Sequence, residues 1–372
     1  MRSGNPERSS FIIAGVLTVA LRFLYSGLAA LFAPRLNLDP VLIRSNHFTE
    51  NLMQPSAGPL YAWLGVWERF DTLWYIHIAA NGYDRPDAVV FYPLYPVLVR
   101  IVSLVMGQPL VAALLVSSVS AFFLFWGLHK LLSLDLPAEV VNRSLLLYSI
   151  WPASFIFFAG YIESLVIALM VWSIYFGRTN RWWYAGVAGF LAGMAKPVGS
   201  LVLVPLALLA WRERKWRALP AALCLLSTPA FLLWLRFSGR ILPMVAYKKY
   251  WRTEVAPPWA TLSDLVRDAF LGRPLMLRIH LVILAVVFVL AVWKKLRPEY
   301  ALYVVAAMCF LLLKKSDPSQ QQWTRYILIL FPAPVNLSCI LGSRALFAAG
   351  AMLLFIVNIF LMWHFLGWSL VV

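Results

Sequence analysis

Charge is scarce in this chain. Only 13% of its 372 residues are Asp, Glu, Lys or Arg, against 62% hydrophobic residues, and that balance excludes an ordinary soluble domain. Cysteine is scarce as well: Cys224, Cys309 and Cys339 all fall inside apolar segments without metal-type spacing, so neither a disulfide framework nor a zinc site follows. The histidines His47, His77, His129, His280 and His364 are scattered. No glycine-rich dinucleotide fingerprint is present, which removes a soluble nucleotide-binding domain. The acidic residues form no recognisable cage, so the expectation is no metal and no cofactor.

What is present is a succession of long apolar runs, giving a mean hydropathy of +0.77. These define an all-α polytopic membrane protein. The formal charge of +16 does not point to nucleic acid, because the basic residues sit in short clusters between apolar spans, as the positive-inside bias produces. Anionic lipid headgroups and phosphates are the expected partners. The first run, Phe11 to Ala33, is long enough to span and lacks a cleavage site, so it is read as a retained span and not a signal peptide.

Walking from cluster to cluster gives the topology. Arg2 and Arg8 place the N-terminus in the cytoplasm, the first span ends by residue 33, and residues 34–90 form a large extracytoplasmic loop. Residues 91–237 are core helices and short hairpins, 238–274 a second external loop, and 275–372 the C-terminal spans, about ten to twelve transmembrane or re-entrant helices in all. The clusters GRTNR (177–181), WRERKWR (211–217) and WKKLR (293–297) are placed in the cytoplasm. Residues 182–211 must then leave and return, which suits two short helices meeting at Ala195-Lys196-Pro197. The run 144–176, interrupted by Pro152 and Gly160, makes a second hairpin with Tyr161-Ile162-Glu163-Ser164 at its tip. Phe91 to Met106 either crosses, leaving Lys130 to Arg143 outside against the bias, or only dips into the membrane; the second is preferred. The last two spans are read as Ile327 to Leu341 and Ala345 to Val371.

Within the first loop, WERFDTLWYIHIAA is predicted to be an amphipathic interfacial helix from Trp67 to Ala80. Trp67, Phe70, Trp74 and Ile78 would share an apolar stripe, and Glu68, Asp71 and Tyr75 the opposite face. Two carboxylates one turn apart repel, which raises at least one pKa and suits a proton acceptor. The bland reading is a solvated helix face. A charge at membrane depth costs a few kcal/mol, which makes Glu163 and Lys196 functional candidates unless they pair or reach water. Arg22, inside the first span, is expected to snorkel or pair, and His77 to be a packed histidine.

The order of motifs resembles the GPI mannosyltransferase family of the PIG-V type, within the GT-C superfamily of lipid-sugar-dependent glycosyltransferases. The matching residues are Phe70-Asp71 through Ile78-Ala79 to Gly82-Tyr83, then Phe91-Tyr92-Pro93-Leu94-Tyr95-Pro96, Pro152 to Phe155 and Tyr161 to Ser164. Ala185-Gly186 through Lys196 and Gly199, and Arg325-Tyr326 through Phe331-Pro332, complete a resemblance over about residues 60 to 335. The chain departs from it at Phe70, where Trp is usual, and at Lys196, where Arg is more common; it is also short, which suggests a prokaryotic relative.

The resemblance implies a GT-C-like bundle and inverting transfer of a sugar, expected to be mannose, from a polyprenyl-phosphate donor to a lipid or glycan hydroxyl. The site would face the extracytoplasmic side of a prokaryotic cell membrane, or the ER lumen in a eukaryote. Asp71 would be the catalytic base, with Lys196 and Arg325 holding the lipid phosphate, Tyr326 a donor, and Glu163 positioning hydroxyls. Glu68, Tyr75 and Tyr161 complete the expected substrate-binding set, and Trp67 and Trp74 are candidates to pack sugar or isoprenoid. Glu163 and Lys196 could instead form an ion pair that only locks the two hairpins. A transporter or flippase of a charged glycolipid is the alternative, but it tends to show two related halves, and the C-terminal half holds no second copy of the Asp71 or Glu163 motif.

Overall fold

The computed structural model describes residues 6–212, 216–271, 275–292, 296–316 and 323–369; Arg2, parts of two basic clusters (213–215 and 293–295) and residues 317–322 lie outside the described residues. The first loop follows α1 (Pro6–Phe32) and carries α2 (Pro40–Arg44), α3 (Pro59–Trp63) and α4 (Asp71–Asn81). The core contains α5 (Leu94–Met106), α6 (Pro109–Leu132), α7 (Ala138–Ser149), α8 (Glu163–Arg178), α9 (Trp182–Ala195), α10 (Leu203–Arg212) and α11 (Ser227–Phe237). Next come α12 (Pro243–Tyr250), β1 (Thr253–Val255), α13 (Pro258–Phe270), α14 (Leu275–Val292), α15 (Pro298–Leu312) and β2 (Lys314–Ser316). The chain closes with α16 (Trp323–Tyr326), α17 (Pro332–Ile340) and α18 (Arg344–Leu366). The architecture is that of an all-α polytopic membrane protein, with one two-stranded ribbon among the described residues. Among the described residues, four helical stretches are long and apolar enough to cross a bilayer: Arg8–Arg35, Pro109–Leu132, Trp216–Phe237 and Arg344–Leu366.

Two sets of contacts sort the helix ends into opposite faces. On one face Arg178 grips Asp135 with two bonds of 2.8 Å, and Arg297 lies 3.8 Å from the same carboxylate. Glu299, fully buried, is held there by Arg297 and by Arg212 at 3.4 Å. Residues from all three basic clusters therefore meet on one side. On the other face β1 and β2 pair antiparallel, Val255 opposite Lys314, so the loop of residues 238–274 is hydrogen-bonded to the segment after α15. Arg240 and Trp251 donate to the carbonyls of Tyr83 and Asp87 in the first loop, at 2.8 and 3.1 Å. Arg69 donates to the Leu366 carbonyl at the end of α18.

This arrangement bears on α5. Asp135 lies on the face of the basic clusters, so α6 runs to that face from the opposite one, and α5 begins and ends on the side of the first loop. Its 13 residues reach only about 20 Å, short of a bilayer core of about 30 Å. The geometry supports the dipping reading.

The hairpin breaks fall where expected. Lys196 is extended between α9 and a 3₁₀ segment over Pro197–Val202, and α8 begins at Glu163 after a turn through Gly160. Gly199 must stay small, because a Cβ there would lie 2.2 Å from the Ala192 carbonyl oxygen.

Two expectations are corrected. Trp67 to Ala80 is not one helix: a 3₁₀ turn ends at Trp67, Phe70 takes a φ of +44°, and α4 starts at Asp71. Residues 327–341 are not a continuous span. A 3₁₀ turn, a break at Leu330 and the nine-residue α17 occupy them, buried almost throughout, because Pro332 and Pro334 cannot continue the ladder of the preceding turn.

Candidate functional site

Asp71 is positioned by its neighbours on both sides. Arg69, only 2% exposed, donates to the Leu366 carbonyl and to the Tyr61 hydroxyl and lies over the Trp368 ring, which fixes the chain just before the acid. After it, the Thr72 hydroxyl donates to the Ala159 carbonyl at 2.7 Å, and the Asp71 amide donates to the Tyr161 hydroxyl at 3.2 Å. The acid motif is thus docked on the tip of the hairpin between α7 and α8. Gly160 makes the docking possible: its φ is +77°, and a Cβ there would stand 2.9 Å from the Thr72 methyl.

Four charged side chains from four separate elements alternate in sign around this tip. Arg325 Nη1 is 2.6 Å from Asp71 Oδ2, and Arg325 Nε is 3.4 Å from Glu163 Oε1. Lys196 Nζ donates to that same Glu163 oxygen at 3.0 Å. The order is therefore Asp71, Arg325, Glu163, Lys196. Arg325 and Glu163 are 4% and 2% exposed, whereas the side chains of Asp71 and Lys196 are 18% and 27% exposed. The two inner members of the row are buried, and the two outer members are partly exposed. Glu163 Oε2 is buried and has no hydrogen-bond partner among the described residues.

Tyr326 sits against the cations: its ring is 5.0 Å from the Lys196 ammonium and 5.3 Å from the Arg325 guanidinium. Burial alone would raise its phenol, but Lys314, Arg325 and Lys196 outweigh it and bring the pKa down to about 8. Tyr161, fully buried, backs the Arg325 guanidinium at 5.2 Å. Tyr75 lies behind Asp71 against the Tyr95 ring, and burial together with the Asp71 and Glu163 carboxylates pushes its phenol well above its ordinary range. Both tyrosines are placed to brace the charged groups.

Seven of the eight expected site residues are thus brought together: Asp71, Tyr75, Tyr161, Glu163, Lys196, Arg325 and Tyr326. Glu68 is set apart. The break at Phe70 turns its carboxylate away to accept the Met53 amide at 2.8 Å, and its pKa is raised by burial. Trp67 and Trp74, at 0% and 4% exposure, are packed inside and form no open platform for a sugar. Arg22 donates to the Phe158 carbonyl at 2.7 Å and faces the Trp67 ring, bracing the same hairpin. His77 stacks on Phe48 and pairs with Asp84 at 2.8 Å. Among the described residues, no three His, Cys, Asp or Glu side chains are grouped to hold a metal ion.

The sequence reading missed Lys314 and Tyr247. Lys314 Nζ donates to the Tyr326 hydroxyl at 3.4 Å and lies 5.2 Å from the Tyr247 ring. The cationic and aromatic content of both polar segments is visible in the sequence, but their pairing through β1 and β2 is not.

No family model matches the chain, and no curated protein sequence does. Two solved structures of ArnT from Cupriavidus metallidurans are similar to it. The one bound to undecaprenyl phosphate is 14% identical, with a TM-score of 0.54, and the match covers 91% of this chain and 61% of that chain. The apo form is also 14% identical, with a TM-score of 0.49, over 81% of this chain and 71% of that one. The protein therefore spans about three fifths of the length of the lipid-bound relative, and over that length it shares the ArnT fold.

Proposed function

We propose that this protein is a GT-C membrane glycosyltransferase that takes a sugar from a polyprenyl-phosphate donor on the extracytoplasmic side. The carrying observation is the alternation of Asp71, Arg325, Glu163 and Lys196 in one row, on the face opposite the basic clusters. The fold likeness to a structure that holds undecaprenyl phosphate supports the donor class. Mannose, with a lipid or glycan hydroxyl as acceptor, is the finer reading, and it rests on the PIG-V-type motifs.

The acceptor oxygen attacks the anomeric carbon from the face opposite the phosphate, the bond from that carbon to the phosphate oxygen breaks, and the electron pair leaves with the lipid phosphate. The acceptor proton goes to Asp71. Because Asp71 is paired with Arg325, it acts as a base only when Arg325 turns to the phosphate. The charge already on the donor phosphate draws Arg325 that way, so donor binding frees the base, and the charge that grows on the leaving group keeps Arg325 there. The unpartnered Glu163 oxygen accepts a sugar or acceptor hydroxyl. No cofactor is required beyond the lipid-linked donor.

A transfer assay with purified protein, a panel of polyprenyl-phosphate sugars and a native lipid extract tests this. The expected result is lipid-dependent transfer with inversion at the anomeric carbon. Efficient transfer from GDP-mannose without any polyprenyl phosphate would refute the donor assignment.

A further inference from the structure

Three cations surround Tyr326, and two of them are already matched. Arg325 is held by Asp71 and Glu163, and Lys196 by Glu163. Lys314 differs, because its partners are the Tyr326 hydroxyl and the faces of Tyr247 and Tyr326 at 5.2 and 5.7 Å. A π face attracts an ammonium without cancelling its charge. Among the described residues, no carboxylate pairs with Lys314. Its strand neighbour Lys315, on the alternate side of β2, is neutralised by Asp264 at 2.8 Å. The pairing of β2 with β1 holds Lys314 in place.

We propose that Lys314 is the entry ligand for the donor phosphate: the uncompensated cation takes the phosphate oxygens first, before Arg325 leaves Asp71. This rests on the polyprenyl-phosphate reading and assigns the order of events within it. A phosphate that approached Arg325 or Lys196 first would have to displace a carboxylate, whereas at Lys314 it meets a free charge and the Tyr326 hydroxyl. The first contact then brings the anion beside Arg325, and the exchange of partners follows.

The test is equilibrium binding of undecaprenyl phosphate, and of the uncharged polyprenol, to the full chain in nanodiscs. Lys314→Met is expected to weaken undecaprenyl phosphate binding about tenfold or more, Lys314→Arg to restore most of it, and Lys315→Met to leave it unchanged. Polyprenol binding should be the same in all four proteins. In transfer, Lys314→Met should raise the donor KM far more than it lowers kcat. If Lys314→Met does not fold, Lys314→Gln with Lys314→Arg gives the same comparison. Wild-type affinity for undecaprenyl phosphate with either neutral variant overturns the proposal and leaves the donor class standing. No binding of undecaprenyl phosphate by the wild-type chain overturns the donor reading itself.

Discussion

Asp71 combines exposure with a fixed backbone, and Arg325 between two carboxylates makes it separable from structure. Replacing Asp71 with Asn leaves Arg325 in contact with Glu163 at 3.4 Å, so the buried guanidinium is not orphaned. Asp71→Asn is therefore expected to cut kcat by about 10²–10⁴, the range for loss of a general base, without weakening donor binding, since Arg325 no longer has to leave a carboxylate. Wild-type turnover in that variant would remove Asp71 from the chemistry, while Glu68→Gln, at a residue turned away to Met53, should be nearly silent in kcat. Tyr326 adds a pH signature. Its phenol, near pKa 8, donates while protonated, so activity should be retained below that value and fall as pH rises through about 8. Tyr326→Phe should lower activity at neutral pH and remove the alkaline limb in a kcat/KM profile; a limb that stays in place belongs to another group.

The hairpin between α7 and α8 carries the site through close backbone approach. Gly160→Ala puts a Cβ where φ is +77° and against the Thr72 methyl, so it should cost about 1–3 kcal/mol and disturb Asp71 more than distant elements. Thermal unfolding in detergent should show the loss. Adding Thr72→Ser, which keeps the hydroxyl bonded to Ala159 and removes the methyl, should recover part of the stability and of the activity. Absence of recovery would mean that backbone strain, and not the contact with α4, dominates. The Lys196 break works differently: Pro197 stops α9 and leaves the lysine extended, its head reaching the N-terminus of α8.

The sorting of helix ends predicts which surfaces face which compartment. In a background without Cys224, Cys309 and Cys339, a cysteine replacing the exposed Glu254 on β1 should react with an impermeant thiol reagent added to intact cells. A cysteine replacing the exposed Ser133, beside Asp135, should react only after permeabilisation. Labelling of the Ser133 position in intact cells would place the face of Asp135, Arg178 and Arg297 outside and break the link between the basic clusters and the cytoplasm.

Apolar run length, basic clusters and proline breaks are local properties, and they were sufficient for the membrane class and for the helix breaks at Lys196 and before Glu163. The cost of a charge at membrane depth pointed to Glu163 and Lys196, and motif order added Asp71 and Arg325; the four side chains do meet in the fold. Periodicity failed at Phe70, because docking of Arg69 and Thr72 onto distant chain overrides the helical pattern and turns Glu68 away from Asp71. The pairing of charges and the arrival of Lys314 beside Tyr326 depend on segments far apart in the chain, Asp71 and Arg325 being 254 residues from each other. Only the tertiary structure decided those contacts, since the free energy of a buried charge depends on which partners the fold brings within reach.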